Sequence, residues 1–395
     1  MGLHADLMLS RASLSSSTPS RDSVRVAILH DHLRFIGGGE RVALSLAAAL
    51  DADLYVTDLD PTLPERAGMR SVRASQIAEV PQKAPRRQDA QARAFRKASI
   101  PDHDVYVFSG NWAVFAAPRF RPNIWYCHTP VRVFYDLRAS FLESRSPVQG
   151  WFARRWIARR RPEYEAAVRE VQTIVANSRN VASRIERYLG RKSEVVHPPV
   201  ETSRYRFDRI GETWLAVNRL SHEKRINLLV ETFRRLPNER LIVAGGPQMG
   251  DTKDRFVRAL RPPPNVEFLG EIPEARLTEL YATSRGLVAT SRDEDFGMTA
   301  VEAMASGKVV IAVDEGGYRE TVLDGDTGWL VPPRAETLAQ AIEAATPDRL
   351  QRMRLACQAH ARLFDVSRFT ARMHELVLRA ASSAEAASRS QKPSH

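Results

Sequence analysis

Two successive series of strand-like and helix-like segments constrain this chain more than any other feature. The first opens at Val24-Arg-Val-Ala-Ile-Leu29 and continues through apolar runs at Leu54–Thr57, Val105–Ser109, Ile124–Cys127, Thr173–Ala176 and Glu194–His197, with helix-forming residues between most of them. Pro198-Pro199 closes it, because a ring-fixed φ and a missing N–H disfavour continuing either element. The second opens at Trp214–Asn218 and repeats at Leu241–Ala244, Val266–Leu269, Leu287–Thr290, Val309–Val313 and Gly328–Val331. Short apolar strands alternating with helices read as parallel sheets covered on both faces. At 395 residues two domains are expected. The fold class that follows is α/β, with two Rossmann-like doubly wound lobes facing across a cleft, residues 23–200 and 201–365. Ligands of such sheets bind at the carboxyl ends of the strands.

Composition narrows the partners. The net charge of +11 favours anionic ligands such as nucleotide phosphates or anionic lipid. Cys127 and Cys357 lie far apart with no metal-ligand spacing, which suits a reducing compartment and excludes a disulfide scaffold. No run approaches the length of a membrane span, so a cytoplasmic protein with at most peripheral contact at the inner membrane face is expected. Residues 1–22 read as a disordered leader without the apolar core of a secretory signal, and 382–395 as an unstructured tail. Helices at about Pro347–Phe364 and Val366–Ala381 are expected to brace the lobes.

Four constellations fall at strand ends. Gly37-Gly-Gly-Glu40 precedes a helical run from Val42, where glycines let a diphosphate approach backbone N–H groups; a tight structural turn explains the same residues. It is neither the dinucleotide fingerprint nor a Walker loop. Asn218-Arg219-Leu-Ser-His-Glu-Lys224 places two cations on one loop, suited to a leaving diphosphate at about 1.5–3 kcal/mol per charge-assisted contact, or simply solvated. His128, in Tyr126-Cys-His-Thr-Pro130, reads as a ligand for a sugar hydroxyl or as a loop histidine. Nearby Arg132 and Asp136 either shape an acceptor pocket or pair with each other. Finally, Glu294-Asp-Phe-Gly-Met-Thr-Ala-Val-Glu302 sets two carboxylates around a helix start opened by Gly297, an arrangement that holds sugars and riboses.

Taken together and in this order, these residues resemble the retaining glycosyltransferases of family four, which have the GT-B architecture, over roughly residues 24–380. The resemblance implies that Glu302 binds the nucleotide ribose and Glu294 the donor sugar, while Arg219 and Lys224 form the diphosphate pair. It also implies that Gly38 and Gly39 form the N-terminal loop, and that Phe296, Gly297, Met298 and Thr299 line the donor site. The segment His128-Thr-Pro-Val-Arg-Val-Phe-Tyr-Asp136 is similar to that of mannosyl-transferring members of surface polysaccharide pathways, with Val133 where an aromatic is common. Asn177-Ser178 matches a recurrent pair near the cleft, and also suits a helix cap.

The implied reaction moves a hexose from a nucleotide-sugar donor, GDP-mannose before UDP-sugars, to a hydroxyl of a glycan or lipid-linked acceptor. No cofactor, metal or nucleic acid is expected. Asp58/Asp60 is a metal-type Asp-x-Asp, but the same pattern recurs at Asp51/Asp53, Asp102/Asp104, Asp293/Asp295 and Asp324/Asp326, so it carries little weight. The alternatives are a nucleotide-sugar 2-epimerase of the same architecture, which needs no acceptor, and a non-catalytic nucleotide-sugar-binding protein. Trp151-Phe152-Ala-Arg-Arg-Trp156-Ile157 mixes aromatics with arginines and suits either an anionic membrane surface or a packed helix with snorkelling arginines.

Overall fold

A computed structural model describes residues 24–246 and 253–390; the expected leader lies outside them. The first lobe is a seven-stranded, wholly parallel sheet in the order β3-β2-β1-β4-β5-β6-β7. Its strands are β1 Val26–His30, β2 Asp53–Val56, β3 Arg73–Gln76, β4 Val105–Phe108, β5 Asn123–Cys127, β6 Thr173–Ala176 and β7 Glu194–Val195. The second lobe is a six-stranded parallel sheet, β10-β9-β8-β11-β12-β13. Here β8 is Thr213–Val217, β9 Arg240–Ala244, β10 Val266–Gly270, β11 Leu287–Ala289, β12 Val310–Val313 and β13 Gly328–Val331. Strands β1, β4, β5 and β12 are buried along their whole length. Apolar runs without alternation are what a sheet covered on both faces requires.

In both sheets the strand order reverses beside the first strand, between β1 and β4 and between β8 and β11. These reversals open the crevices in which doubly wound sheets bind ligands. The helix Pro347–Ala361 sends Leu350, Met353, Cys357 and Ala361 into the second core. The chain then returns through Asp365, which bridges Val200, and Phe369, Met373, Leu376 and Val377 of the final helix pack into the first lobe's core. That helix is Val366–Ser390, longer than expected. The sequence from 382 read as tail because it is rich in Ala and Ser, yet Ala carries the highest helix propensity and extends a helix already anchored upstream. Among the described residues no helix is long and apolar enough to cross a membrane.

Candidate functional site

In the first lobe the helix Gly38–Ala49 starts within a few residues of β1, with Gly37 as its extended N-cap. Gly38 and Gly39 therefore belong to its first turn rather than to a loop before a helix beginning at Val42. Arg41 N–H closes that turn on Gly37 C=O at 3.0 Å, and the Glu40 carboxyl folds back beside Gly37. A Cβ on Gly37 would lie 2.6 Å from Glu40 Oε2. One on Gly38 would lie 3.6 Å from Met298 Sδ of the other lobe, and one on Gly39 4.0 Å from His128 Nε2. The glycines thus sit where the two lobes and His128 converge.

His128 leaves β5 with Nε2 3.2 Å from Ser109 Oγ, and burial pushes its pKa down to about 4. Its imidazole is neutral at neutral pH, able to donate one hydrogen bond and accept another. Behind it, burial and then the nearby His128 push His30 down to about 3. His32 Nδ1 is 3.4 Å from Glu40 Oε1; burial lowers this histidine to about 3 and raises Glu40 to about 7.

The facing wall carries the second set. Arg219, at the exit of β8, is exposed, and its positive charge bears on both His32 and Glu40 of the first lobe. Lys224 Nζ donates to Glu294 Oε2 at 2.7 Å. Burial opposes ionisation of Glu294, but the Lys224 charge and hydrogen bond outweigh it and hold the carboxyl below its usual range. Gly297 has φ +94°, and a Cβ there would lie 2.9 Å from Tyr318 Cε1, so the turn into the helix Met298–Ala305 demands glycine. The first N–H groups of that helix, at Met298 and Thr299, have no intrahelical acceptor. The Phe296 side chain is buried and stacks on His197, leaving only its backbone for a ligand.

Glu302 lies one turn further in and is buried, with Tyr281 Oη donating to Oε2 at 2.8 Å. Burial raises its pKa, against the Tyr281 hydrogen bond and the Arg41 charge. Arg41 comes from the first lobe and ion-pairs with Glu274 of the second.

Further contacts join the lobes behind the cleft. Arg184 bridges Asp293 and Asp295, and the N–H groups of Arg179 and Asn180 both donate to Glu320 at 2.8 Å. Ser178 Oγ caps its own helix at Val181 N–H and donates to Asp295 C=O at 2.6 Å. Of the two roles open to Ser178, the helix cap is present, and its hydroxyl is engaged twice. Asn177 is buried, with no partner for Oδ1. Arg132 pairs with Asp136 at 2.6 Å and also reaches Asp293. The two therefore pair with each other, in a chain that spans the lobes. Asp58 is taken up by Arg34 and Arg87, and Asp60 by Thr62 and Arg66. Among the described residues no three His, Cys, Asp or Glu side chains gather as a metal site would require.

Two family models match in tandem across this frame. "Glycosyltransferase Family 4" covers residues 36–204 and "Glycosyl transferases group 1" covers 205–362. The chain belongs to the group 1, family 4 glycosyltransferases of GT-B fold. The two matches of this glycosyltransferase meet at residues 204 and 205, between its two sheets. Similar proteins include a D-inositol 3-phosphate glycosyltransferase of Nocardia farcinica, 33% identical over 49% of each chain. Another is the alpha-1,3/1,6-mannosyltransferase alg2 of Schizosaccharomyces pombe, 29% identical over 46% of this chain and 44% of that one. The matches thus span about half the length of these curated relatives. Among solved structures, Anabaena HepE in complex with UDP and glucose aligns over 90% of this chain and 99% of its own, with a TM-score of 0.70 and 19% identity. Sucrose-phosphate synthase from Thermosynechococcus elongatus aligns over 91% and 100%, with a TM-score of 0.69 and 19% identity.

Four residues in or behind this glycosyltransferase's cleft carry no signal in the sequence: Arg41, Tyr281, Arg184 and Glu320. Their partners lie 233, 21, 111 and 141 residues away. No local pattern announces the pairs of Arg41, Arg184 and Glu320, which only lobe docking creates, or the Tyr281–Glu302 pair, which packing within the second lobe creates, although Arg41 directly follows the glycine cluster.

Proposed function

We propose that this glycosyltransferase transfers a hexose from a nucleoside diphosphate sugar to a hydroxyl acceptor, with retention at the anomeric carbon and without a metal ion. The observation that carries this reading is the convergence of Arg219, the Lys224–Glu294 pair and the two helix starts at Gly38 and Met298 on one gap. Glu302, held by Tyr281, accepts hydrogen bonds from the ribose hydroxyls. Glu294 and neutral His128 bind hydroxyls of the donor sugar from opposite walls. As the bond from the anomeric carbon to the diphosphate breaks, negative charge grows on the leaving group, and Arg219, Lys224 and the free backbone N–H groups stabilise it. A preorganised donor of this kind contributes about 10²–10³ in rate. The acceptor hydroxyl bonds to the anomeric carbon on the same face, and its proton passes to an oxygen of the departing phosphate.

Mannose from GDP-mannose is the preferred donor. The His128–Asp136 segment and the similarity to a mannosyltransferase support it. UDP-glucose stands second, supported by a structural neighbour that holds UDP and glucose. The acceptor is a glycan or lipid-linked hydroxyl reached past Arg132 and Asp136. The test is a thermal-shift screen of GDP, UDP and ADP sugars followed by NMR of the product's anomeric configuration with the donor that stabilises. An inverted product, or donor turnover to an epimerised sugar without acceptor, overturns the reading.

A further inference from the structure

The helix Pro147–Arg169 presents two unlike faces. Gly150, Ile157, Arg160, Tyr164, Ala167 and Val168 are buried against the first lobe. On the opposite face Val148, Trp151, Phe152 and Arg155 follow at i, i+3, i+4 and i+7, which places them in one stripe. Val148, Trp151 and Phe152 are 68%, 53% and 62% exposed. No other Trp or Phe is so exposed among the described residues. Their rings meet edge to face at 4.8 Å, so the pair is already ordered.

The stretch that carries this aromatic pair is rich in arginine. Arg155 lies over the Trp151 ring at 5.2 Å, and Arg145, from the preceding turn, over Phe141 at 3.9 Å. Arg138 and Arg154 are exposed with no acidic partner among the described residues. From Arg138 to Arg155 the only acidic residue is Glu143.

We propose that Trp151 and Phe152, with Arg155 over the Trp151 ring and the exposed Arg138, Arg145 and Arg154 on the same stretch of chain, dock the first lobe on an anionic bilayer. The aromatic pair enters at headgroup depth, where rings with one wet edge are favoured, and the guanidinium groups bind lipid phosphates. The charge distribution selects this occupant. A second copy of the same face would bring four arginines against four, whereas a phosphate-covered surface neutralises them all. The Arg155 guanidinium already lies over the Trp151 ring, so ring and cation can meet the headgroup layer together.

The placement has a consequence for the cleft. The same helix packs through Trp156 on Phe134, next to Arg132, which reaches Asp293 across the lobes. Docking therefore sets the mouth of the cleft near the membrane surface. Only the corollary, that the acceptor is lipid-linked, rests on the transferase reading.

Flotation of the full chain with vesicles tests the surface. Vesicles with about one-third phosphatidylglycerol should recover the protein in a salt-sensitive manner, and pure phosphatidylcholine should recover far less. Trp151→Ser/Phe152→Ser should lower recovery about tenfold. Leu355→Ser, which removes an exposed leucine elsewhere, should leave it unchanged. Equal recovery on the two lipids, or unchanged flotation of the Trp151/Phe152 variant, overturns the proposal. So does a wild-type dimer in solution that this variant converts to monomer, which would make the face a self-association surface. Donor hydrolysis measured in the same preparations should be equal in wild type and variant, which keeps failure of docking distinct from failure of the transferase reading.

Discussion

Lys224 Nζ and Glu294 Oε2 meet at 2.7 Å, joining the loop after β8 to the loop after β11. These are the two strands at which the second sheet reverses order. The ion pair therefore stands at the switch point and fixes the direction of the lysine. Replacing Lys224 or Arg219 with alanine should each lower kcat about 10²–10³-fold, and replacing both should abolish measurable transfer. Steady-state rates on the stabilising donor check this, with the thermal midpoint showing that the fold persists. Retained turnover in the double variant would reject the charge-stabilisation mechanism.

Tyr281 Oη is the hydrogen-bond donor that keeps the buried Glu302 carboxylate supplied. Glu302→Gln should raise KM for the donor about tenfold with a smaller change in kcat, since ribose contacts are made equally in ground and transition states. Tyr281→Phe should act in the same direction but more weakly.

The depressed His128 pKa gives a stability signature with a definite sign. Folded His128 stays neutral down to about pH 4, whereas the unfolded side chain takes up a proton at about 6.5. Its contribution is complete above about pH 6.5 and is lost as pH falls toward 4. Wild type should therefore lose thermal stability relative to His128→Gln across that window, and the difference should be flat above pH 7. A parallel pair of curves would show that the imidazole is not held neutral.

Arg184 lies between Asp293 and Asp295 and is almost fully buried at 4% side-chain exposure. Removing it as Arg184→Ala leaves the Asp295 carboxylate without its cation at the lobe boundary. The cost should be roughly 2–3 kcal/mol, below that of a fully buried pair because the aspartates are part-exposed. Denaturant unfolding measures it. Arg184→Lys should recover only part, since one ammonium cannot bridge two separate carboxylates as a guanidinium fork does.

Activity should persist in excess EDTA. Asp58 and Asp60, the metal-type pair that follows a strand of the first lobe, are engaged with arginines and a threonine hydroxyl, and Asp293 and Asp295 are engaged with Arg184. Complete loss restored by Mg²⁺ or Mn²⁺ would reject the metal-free reading.

Much of the fold was legible because buried parallel strands write themselves as uninterrupted apolar runs. Val105–Phe108 and Val310–Val313 are of this kind, with every residue buried. The edge strand Arg73–Gln76 was not legible: its side chains are largely exposed and polar, and only its backbone pairing with β2 defines it. The run at Glu194–His197 yielded only two strand residues, since its edge position supplies a single neighbour, β6. The helix start at Gly38 was placed late because three successive glycines argue for a loop by propensity. The turn closes all the same, with Arg41 N–H on Gly37 C=O and the Glu40 carboxyl folded back beside Gly37.

The sequence alone determined two parallel-sheet lobes, the glycines at Gly37–Gly39 and Gly297, and the identity of the charged residues at the strand ends. Hydrophobic runs and backbone requirements are local properties, and local order along the chain records them. Tertiary structure decided what those charges do: that Lys224 is held by Glu294, that Arg41 reaches Glu274 from the other lobe, and that Ser178 is engaged by a cap and a carbonyl. It also decided that Trp151 and Phe152 point outward while Ile157 and Tyr164 point in. Pairings between residues up to 233 positions apart depend on how two sheets dock, and docking is set by surfaces that exist only after each lobe has folded.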